Sequence, residues 1–151
     1  MANNDHDLRT VNSLIETTID SVDGYREAAK ETQNATLRTM FERRASERQA
    51  SVASLQAFVV SQGGKPEDDG TVLASAHRVF VDLRSAISKG DEAVVKEVER
   101  GEDHIKHKYQ DALKDVELSP TARDAIDKAY ASVKQGHDEM SRLKHGFEAR
   151  G

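Results

Sequence analysis

The sequence contains no cysteine and no tryptophan, and only two of its 151 residues are proline. Without cysteine the chain has no disulfides, no thiolate metal ligands and no cysteine nucleophile, so any bound metal must use His, Asp or Glu. The chain is 36% apolar and 32% charged, a balance that suits amphipathic helices better than sheets. The composition therefore predicts an all-α protein.

A long apolar run is also missing. Residues Met1 to Asp7 are polar and acidic, and no stretch approaches the roughly 18 apolar residues that span a bilayer. We therefore expect a cytoplasmic protein that does not bind membranes. The length suits one domain, which we place at residues 1–151.

Charges of both signs are mixed along the chain, with 22 basic and 27 acidic residues and a net charge of −5. The densest basic stretch, residues 38–48, also contains Glu42 and Glu47, and Phe41 is its one aromatic residue. Such a mixed stretch is typical of a solvated helix face, whereas a nucleic-acid site concentrates basic residues. We therefore expect no nucleic-acid binding.

Apolar residues recur at three- and four-residue steps, which predicts helices at about 6–31, 35–62, 71–88, 91–115 and 120–147. The stop and start signals between them are Gly63-Gly64-Lys65-Pro66, Ser88-Lys89-Gly90-Asp91 and Ser119-Pro120. Short links join the long helices in two antiparallel hairpins, and the shorter segment at 71–88 can run back along them. The pattern predicts an antiparallel four-helix bundle with a helical crossover between its second and third long helices.

Four polar residues project onto the apolar stripes near mid-height when each helix is drawn at about 100° per residue. They are Thr18, Arg48, Glu102 and His137. Buried charges must be paired, so we expect Arg48 to bind Glu102. One interpretation is a structural polar layer that sets helix register, with His137 as a hydrogen-bonded core histidine. The other is a metal or small-ligand site.

A complete dinuclear metal site is not indicated, because Glu-x-x-His, the motif that such sites use in helical bundles, is absent. Glu16 and Asp20 project well off the first stripe, and Arg48 would place positive charge where the metals should lie. The remaining metal hypothesis is a weak site for iron, manganese or zinc, built from Glu102, His137, Glu99 and Glu47. Gly101 and Gly136 lie directly before two of these residues, which indicates either close helix approach or simple tolerance of glycine.

Several blocks of the sequence resemble one protein family. They are Val11–Glu16 with Asp20, Gly24–Ala29, Gly63–Pro66, Glu99–Asp103 with Tyr109 and Ala112-Leu113, and His137-Asp138. Together they resemble the small bacterial domain-of-unknown-function proteins of four-helix-bundle type in the ferritin-like superfamily. The resemblance implies a ferritin-like bundle with a helical crossover and no established activity.

The same resemblance shows where this chain departs from metal-binding relatives. Ferritin-like proteins that bind two irons carry Glu on the first helix and Glu-x-x-His on the second and fourth. Thr18 and Ala50 stand near places where such ligands would be sought, and Ser54-Leu55 replaces the Glu-Leu pair that is common in the family.

No hydrolase elbow, phosphate-binding loop or dinucleotide fingerprint is present, so the leading hypothesis is a non-catalytic protein. We expect it to act by association, as a homo-oligomer or with an unknown protein partner, and fold analogy suggests a role in stress physiology. The alternative is a degenerate ferritin-like metal-binding or oxidoreductase protein. A third hypothesis is a small apolar ligand beside the crossover segment.

Overall fold

The computed structural model describes residues 2–69 and 83–150, and these residues form five helices. They are α1 (Ala2–Glu31), α2 (Ala35–Ser61), α3 (Leu83–Lys89), α4 (Asp91–Leu113) and α5 (Pro120–Arg150). Helix α1 begins earlier than the predicted residue 6, α4 ends before 115, and α5 continues past 147. Much of the predicted helix at 71–88 lies outside the described residues, and α3 covers its last part.

The three predicted stop and start signals coincide with helix ends, and α2 begins at a cap that was not predicted. The Asn34 side chain caps α2 by accepting a hydrogen bond from the backbone N of Leu37 at 3.0 Å. After α2, Gly63 has a φ of 81°, a left-handed conformation that glycine adopts without steric cost. Ser119 accepts a hydrogen bond from the backbone N of Ala122, so its hydroxyl caps the helix that begins at Pro120.

The four long helices form two antiparallel hairpins, α1–α2 and α4–α5, which pack against each other. The start of α1 meets the end of α4, where His6 lies 2.5 Å from Asp115. The starts of α2 and α4 meet as well, since the Asn34 side chain donates to Asp91 at 2.9 Å. Helices α2 and α4 are therefore parallel, as the crossover topology predicted.

The chain turns back onto the first hairpin directly after α2. The Asn12 side chain donates to the carbonyl oxygen of Lys65 at 3.1 Å and accepts from the backbone N of Glu67 at 2.9 Å. Gln56 donates to the carbonyl oxygen of Glu67 at 2.8 Å. These bonds hold residues 65–67 against α1 and α2, where the crossover begins.

The apolar core consists of two clusters at different heights of the bundle. One contains Val11, Ile15, Val22, Val52, Leu55, Ile105, Ile126 and Val133, among others. The other contains Tyr25, Leu37, Phe41, Ala45, Val94, Val98 and Met140, among others. Each long helix contributes to both clusters, so the residues between the two clusters lie at the middle of the bundle.

Helix α1 is buried over a wider arc than one stripe. Asp20, which the projection placed well off the apolar stripe, is buried, and Glu16 is half-buried. Helix α1 packs against α3 and α5 as well as against α2 and α4, and Glu67 lies beside Glu16. Among residues 2–69 and 83–150, no helix combines the length and the apolar character that a membrane span requires.

Candidate functional site

One side chain at mid-height joins all four long helices. Arg48 of α2 donates two hydrogen bonds to the Glu102 carboxylate of α4, from Nη1 at 2.8 Å and from Nη2 at 2.5 Å. Nη1 also donates to Ser21 Oγ of α1 at 2.7 Å, and Nη2 donates to the carbonyl oxygen of Val133 in α5 at 3.5 Å. The predicted Arg48–Glu102 pair is therefore present and is the centre of a wider set of contacts.

The pair is completely removed from solvent, with both side chains 0% exposed. Burial opposes the charged form of Arg48, but the attraction of Glu102 outweighs it, so the pKa of Arg48 is raised above its usual value. The guanidinium carbon also lies 5.6 Å from the centre of the Tyr25 ring. Arg48 Nε has no hydrogen-bond partner among the described residues, so one donor of the group is unsatisfied.

Gly136 of α5 provides the space that the pair occupies. A Cβ atom added at Gly136 would meet Arg48 Nη2, and it would lie 2.7 Å from Glu102 Oε2. Any larger residue here would push into the guanidinium and carboxylate groups. Close helix approach therefore explains this glycine, one of the two interpretations that the sequence left open.

Thr18, which was predicted to belong to the polar layer, is fully buried. Its hydroxyl donates to the carbonyl oxygen of Leu14 at 2.6 Å and lies 2.7 Å from the Tyr109 hydroxyl. Burial raises the pKa of Tyr109 to about 12. Ser21, one turn along α1, contacts Arg48 instead, so Thr18 supports a neighbouring buried tyrosine.

His137 does not join the polar layer, which corrects the projection of α5. Its side chain is 15% exposed, and Nε2 lies 2.6 Å from Asp103 Oδ1 of α4. Gly136 faces the centre of the bundle, and the next helical residue is rotated from it by about 100°. Between Val133 and Met140, which are both buried, Gly136 therefore faces the axis, and His137 reaches the flank of α4.

A cluster of three ionisable side chains, Glu99, Asp103 and His137, forms on this flank, and we call it the flank cluster. One nitrogen or oxygen atom from each side chain lies within 4.8 Å of the others. Burial, followed by a hydrogen bond with Asp103, raises the pKa of Glu99. Asp103 was missed in the sequence because it lies beside the apolar stripe of α4.

The other two predicted metal ligands lie elsewhere. Both oxygens of Glu102 are occupied by Arg48. Glu47 is half-buried on α2 and accepts a hydrogen bond from Arg44 at 2.7 Å. The structure thus brings Glu99 and His137 together and separates them from Glu102 and Glu47.

A second feature is the exposed face of α2 in its later half, which we call the uncharged face. No residue from Gln49 to Gly64 is charged, in a chain that is 32% charged. The exposed side chains are mostly small, and Val60 is 59% exposed. The face consists of Ser46, Gln49, Ala50, Ala53, Ser54, Ala57, Val60 and Ser61.

Comparison with known proteins gives a family and a fold. Residues 7–115 match the family described as Domain of unknown function (DUF2383), a region that ends before α5 and His137. The fold is similar to a crystal structure described as ferritin like, diiron-carboxylate proteins from Bacillus anthracis str. Ames. The TM-score is 0.73 and the identity 13%, over 95% of this chain and 99% of that chain. No curated protein matches the sequence.

The described residues do not fit a dinuclear metal centre. Such a centre in a helical bundle needs Glu side chains from all four helices and two His side chains, all projecting towards the axis. Here a guanidinium occupies the axis, Glu102 is bonded to it, and His137 lies on the flank. The fold is ferritin-like, but the donor set at its centre is not that of a di-iron site.

Removing one member of the buried pair should lower the free energy of unfolding far more than removing both members. We expect Glu102→Ala to lower the free energy of unfolding by roughly 3–5 kcal/mol, because Arg48 then remains charged and buried without a partner. In the double variant Arg48→Met, Glu102→Met, most of this loss should be absent, since no charge is left unpaired. Urea unfolding followed by circular dichroism measures both, and a loss below about 1 kcal/mol for Glu102→Ala would contradict the prediction.

Two glycines of α5 provide a matched test of the space around the pair. We expect Gly136→Ala to destabilise the protein by roughly 1–3 kcal/mol, because its methyl group overlaps Arg48 and Glu102. Nothing lies within 4 Å of a Cβ at Gly146, so Gly146→Ala should stabilise α5 by up to about 1 kcal/mol. Equal effects of the two changes in urea unfolding would show that Gly136 has no special packing role.

Proposed function

The chain belongs to the family described as Domain of unknown function (DUF2383), and from this premise we propose that it is a non-catalytic bundle protein acting by association as a homo-oligomer. Fold analogy with ferritin-like proteins extends the proposal to stress physiology. The observation that carries the non-catalytic part is the Arg48–Glu102 pair, which occupies the centre of the bundle.

Two properties of the Arg48–Glu102 pair favour a structural role for the centre of the bundle over a catalytic role. A dinuclear site concentrates carboxylates so that they can hold cations, whereas here the cation is a side chain of the protein itself. The pair is also enclosed, since both side chains are 0% exposed. A substrate in solvent would have no direct contact with it.

The uncharged face of α2 supports the association part. A face without charges can pack against a second copy of itself without placing like charges together, as a two-fold interface requires. Its small residues permit close approach of two helices. We therefore assign the face to a dimer contact between two copies of this chain.

Charges at the two ends of the face favour an antiparallel arrangement. A two-fold axis near Ala53 places the start of one α2 beside the end of the other. In this arrangement Glu42 of one copy lies near Lys65 of its partner, and both residues are exposed. Opposite charges at the rim orient the two helices while the centre of the contact remains uncharged.

Charge introduced on this face should separate the two copies. We expect the wild-type protein to sediment as a dimer and the variant Ala53→Glu, Ala57→Glu to sediment as a monomer, because the contact would bury four unpaired carboxylates. Ala131→Glu alters an exposed alanine of α5 and should remain dimeric. Analytical ultracentrifugation with chelator present measures all three, and a monomeric wild type would refute the proposed dimer.

The proposal that the protein is non-catalytic is tested separately, with ferrous iron. We expect the purified protein to leave the rate of ferrous iron oxidation by oxygen unchanged from that of buffer, because the axis lacks the ligands of a di-iron site. The absorbance of ferric products over time gives the rate. Acceleration that disappears in Glu102→Gln would show that the centre binds iron and would overturn this part of the proposal.

A further inference from the structure

The flank cluster has the ligand atoms and the spacing of a metal site away from the bundle axis. Glu99 and Asp103 lie one turn apart on α4, and His137 faces them from α5. Ligand atoms at about 2.0–2.2 Å from a shared ion are within about 4.4 Å of each other. The observed separations of at most 4.8 Å therefore need only small side-chain rotations to enclose an ion.

The imidazole of His137 is oriented as a metal ligand would be. Nε2 points into the cluster, 2.6 Å from Asp103 Oδ1, while Nδ1 lies 3.5 Å from Asp138 Oδ1 on the opposite side of the ring. Without a metal, Nε2 carries a proton and donates it to Asp103 across the 2.6 Å contact. A bound cation would replace this proton, and Asp138 would then be the carboxylate behind the ring, next to Nδ1. This arrangement, a carboxylate holding a histidine that holds a metal, recurs in protein metal sites.

The charge of the cluster also favours a cation. The Glu99 side chain is only 9% exposed, so its carboxylate is held in place beside Asp103. Lys144 Nζ lies 3.5 Å from Glu99 Oε2, but its side chain is 35% exposed and can turn into solvent. A divalent ion would neutralise both carboxylates, and Lys144 would be its competitor.

A comparable group at the end of the bundle lacks these features. His6, Asp115 and Glu117 also approach one another, but both carboxylate oxygens of Asp115 already accept hydrogen bonds, from the backbone N of Glu117 and from His6. Arg123 donates to the carbonyl oxygen of Asp115 at 2.9 Å and adds positive charge there. This group is therefore a control for the flank cluster.

We propose that Glu99, Asp103 and His137 bind one divalent cation of the zinc, manganese or ferrous type, with water completing the coordination. One imidazole nitrogen and two carboxylate oxygens are the donors that such ions accept. The site is separate from the proposed dimer contact, because the ligands are on α4 and α5 and the uncharged face is on α2. It is also separate from the Arg48–Glu102 pair.

Titration with Zn²⁺ in a calorimeter tests the site. We expect one ion per chain in the wild type and affinity weakened by more than about 10-fold in His137→Ala and in Asp103→Asn. Lys144→Gln should tighten binding, because it removes the cation that competes for Glu99 and leaves all three ligands unchanged. His6→Ala should bind as the wild type does.

Two controls separate a loss of metal binding from a loss of folding. Circular dichroism melting establishes that each variant is folded, and Asp103→Asn retains a side chain of the same size. Co²⁺ titration provides a second readout, since its visible spectrum should change with the wild type and remain that of the free ion with His137→Ala. Absence of binding in the wild type, or binding lost only in His6→Ala, would overturn the site. The dimer measured with chelator is unaffected by either result.

Discussion

A charge buried in the middle of a bundle must be paired, and this requirement organises the structure. The Arg48 guanidinium contacts α1, α4 and α5 from α2, so its position depends on the register of all four helices. A shift of α2 or α4 by one turn would leave Arg48 and Glu102 buried without each other, at a cost of several kcal/mol. A shift of α1 or α5 would remove the contact of Arg48 with Ser21 or with Val133. The apolar clusters above and below the pair supply hydrophobic stabilisation, while the pair selects one alignment of the helices.

The same pair separates this chain from the metal chemistry of its fold. In a ferritin-like bundle the axis is the place where four helices can converge on a cation. Here α2 supplies that cation as a side chain, and the carboxylate that could have bound a metal is already neutralised. The cation ligands that we propose, Glu99, Asp103 and His137, lie outside the axis, on the flank between α4 and α5. Similarity of fold therefore does not imply that the centre of this protein has di-iron chemistry.

The sequence predicted the long helices and their connectivity because glycine, proline and capping signals coincide with the ends of the apolar stripes. Arg48 and Glu102 were also predictable, since each lies near the centre of the apolar stripe of its helix. His137 was not, because glycine adds no apolar signal and the projection could not show that Gly136 faces the axis. Asp103 was missed for a related reason: contacts on a helix flank depend on the rotation of one helix against another, which the pattern of a single helix does not contain.

The two halves of the buried pair belong to different hairpins, Arg48 to α1–α2 and Glu102 to α4–α5. During folding each hairpin therefore presents an apolar face with one charge at its middle, positive on one hairpin and negative on the other. If the α1–α2 hairpins of two neighbouring chains packed together, two guanidinium groups would be buried in one interior. If two α4–α5 hairpins packed together, two carboxylates would be buried in the same way. Like charges repel strongly in such surroundings, whereas the correct combination neutralises them. The pair therefore favours the packing of an α1–α2 hairpin against an α4–α5 hairpin over the packing of two identical hairpins while several chains fold at once.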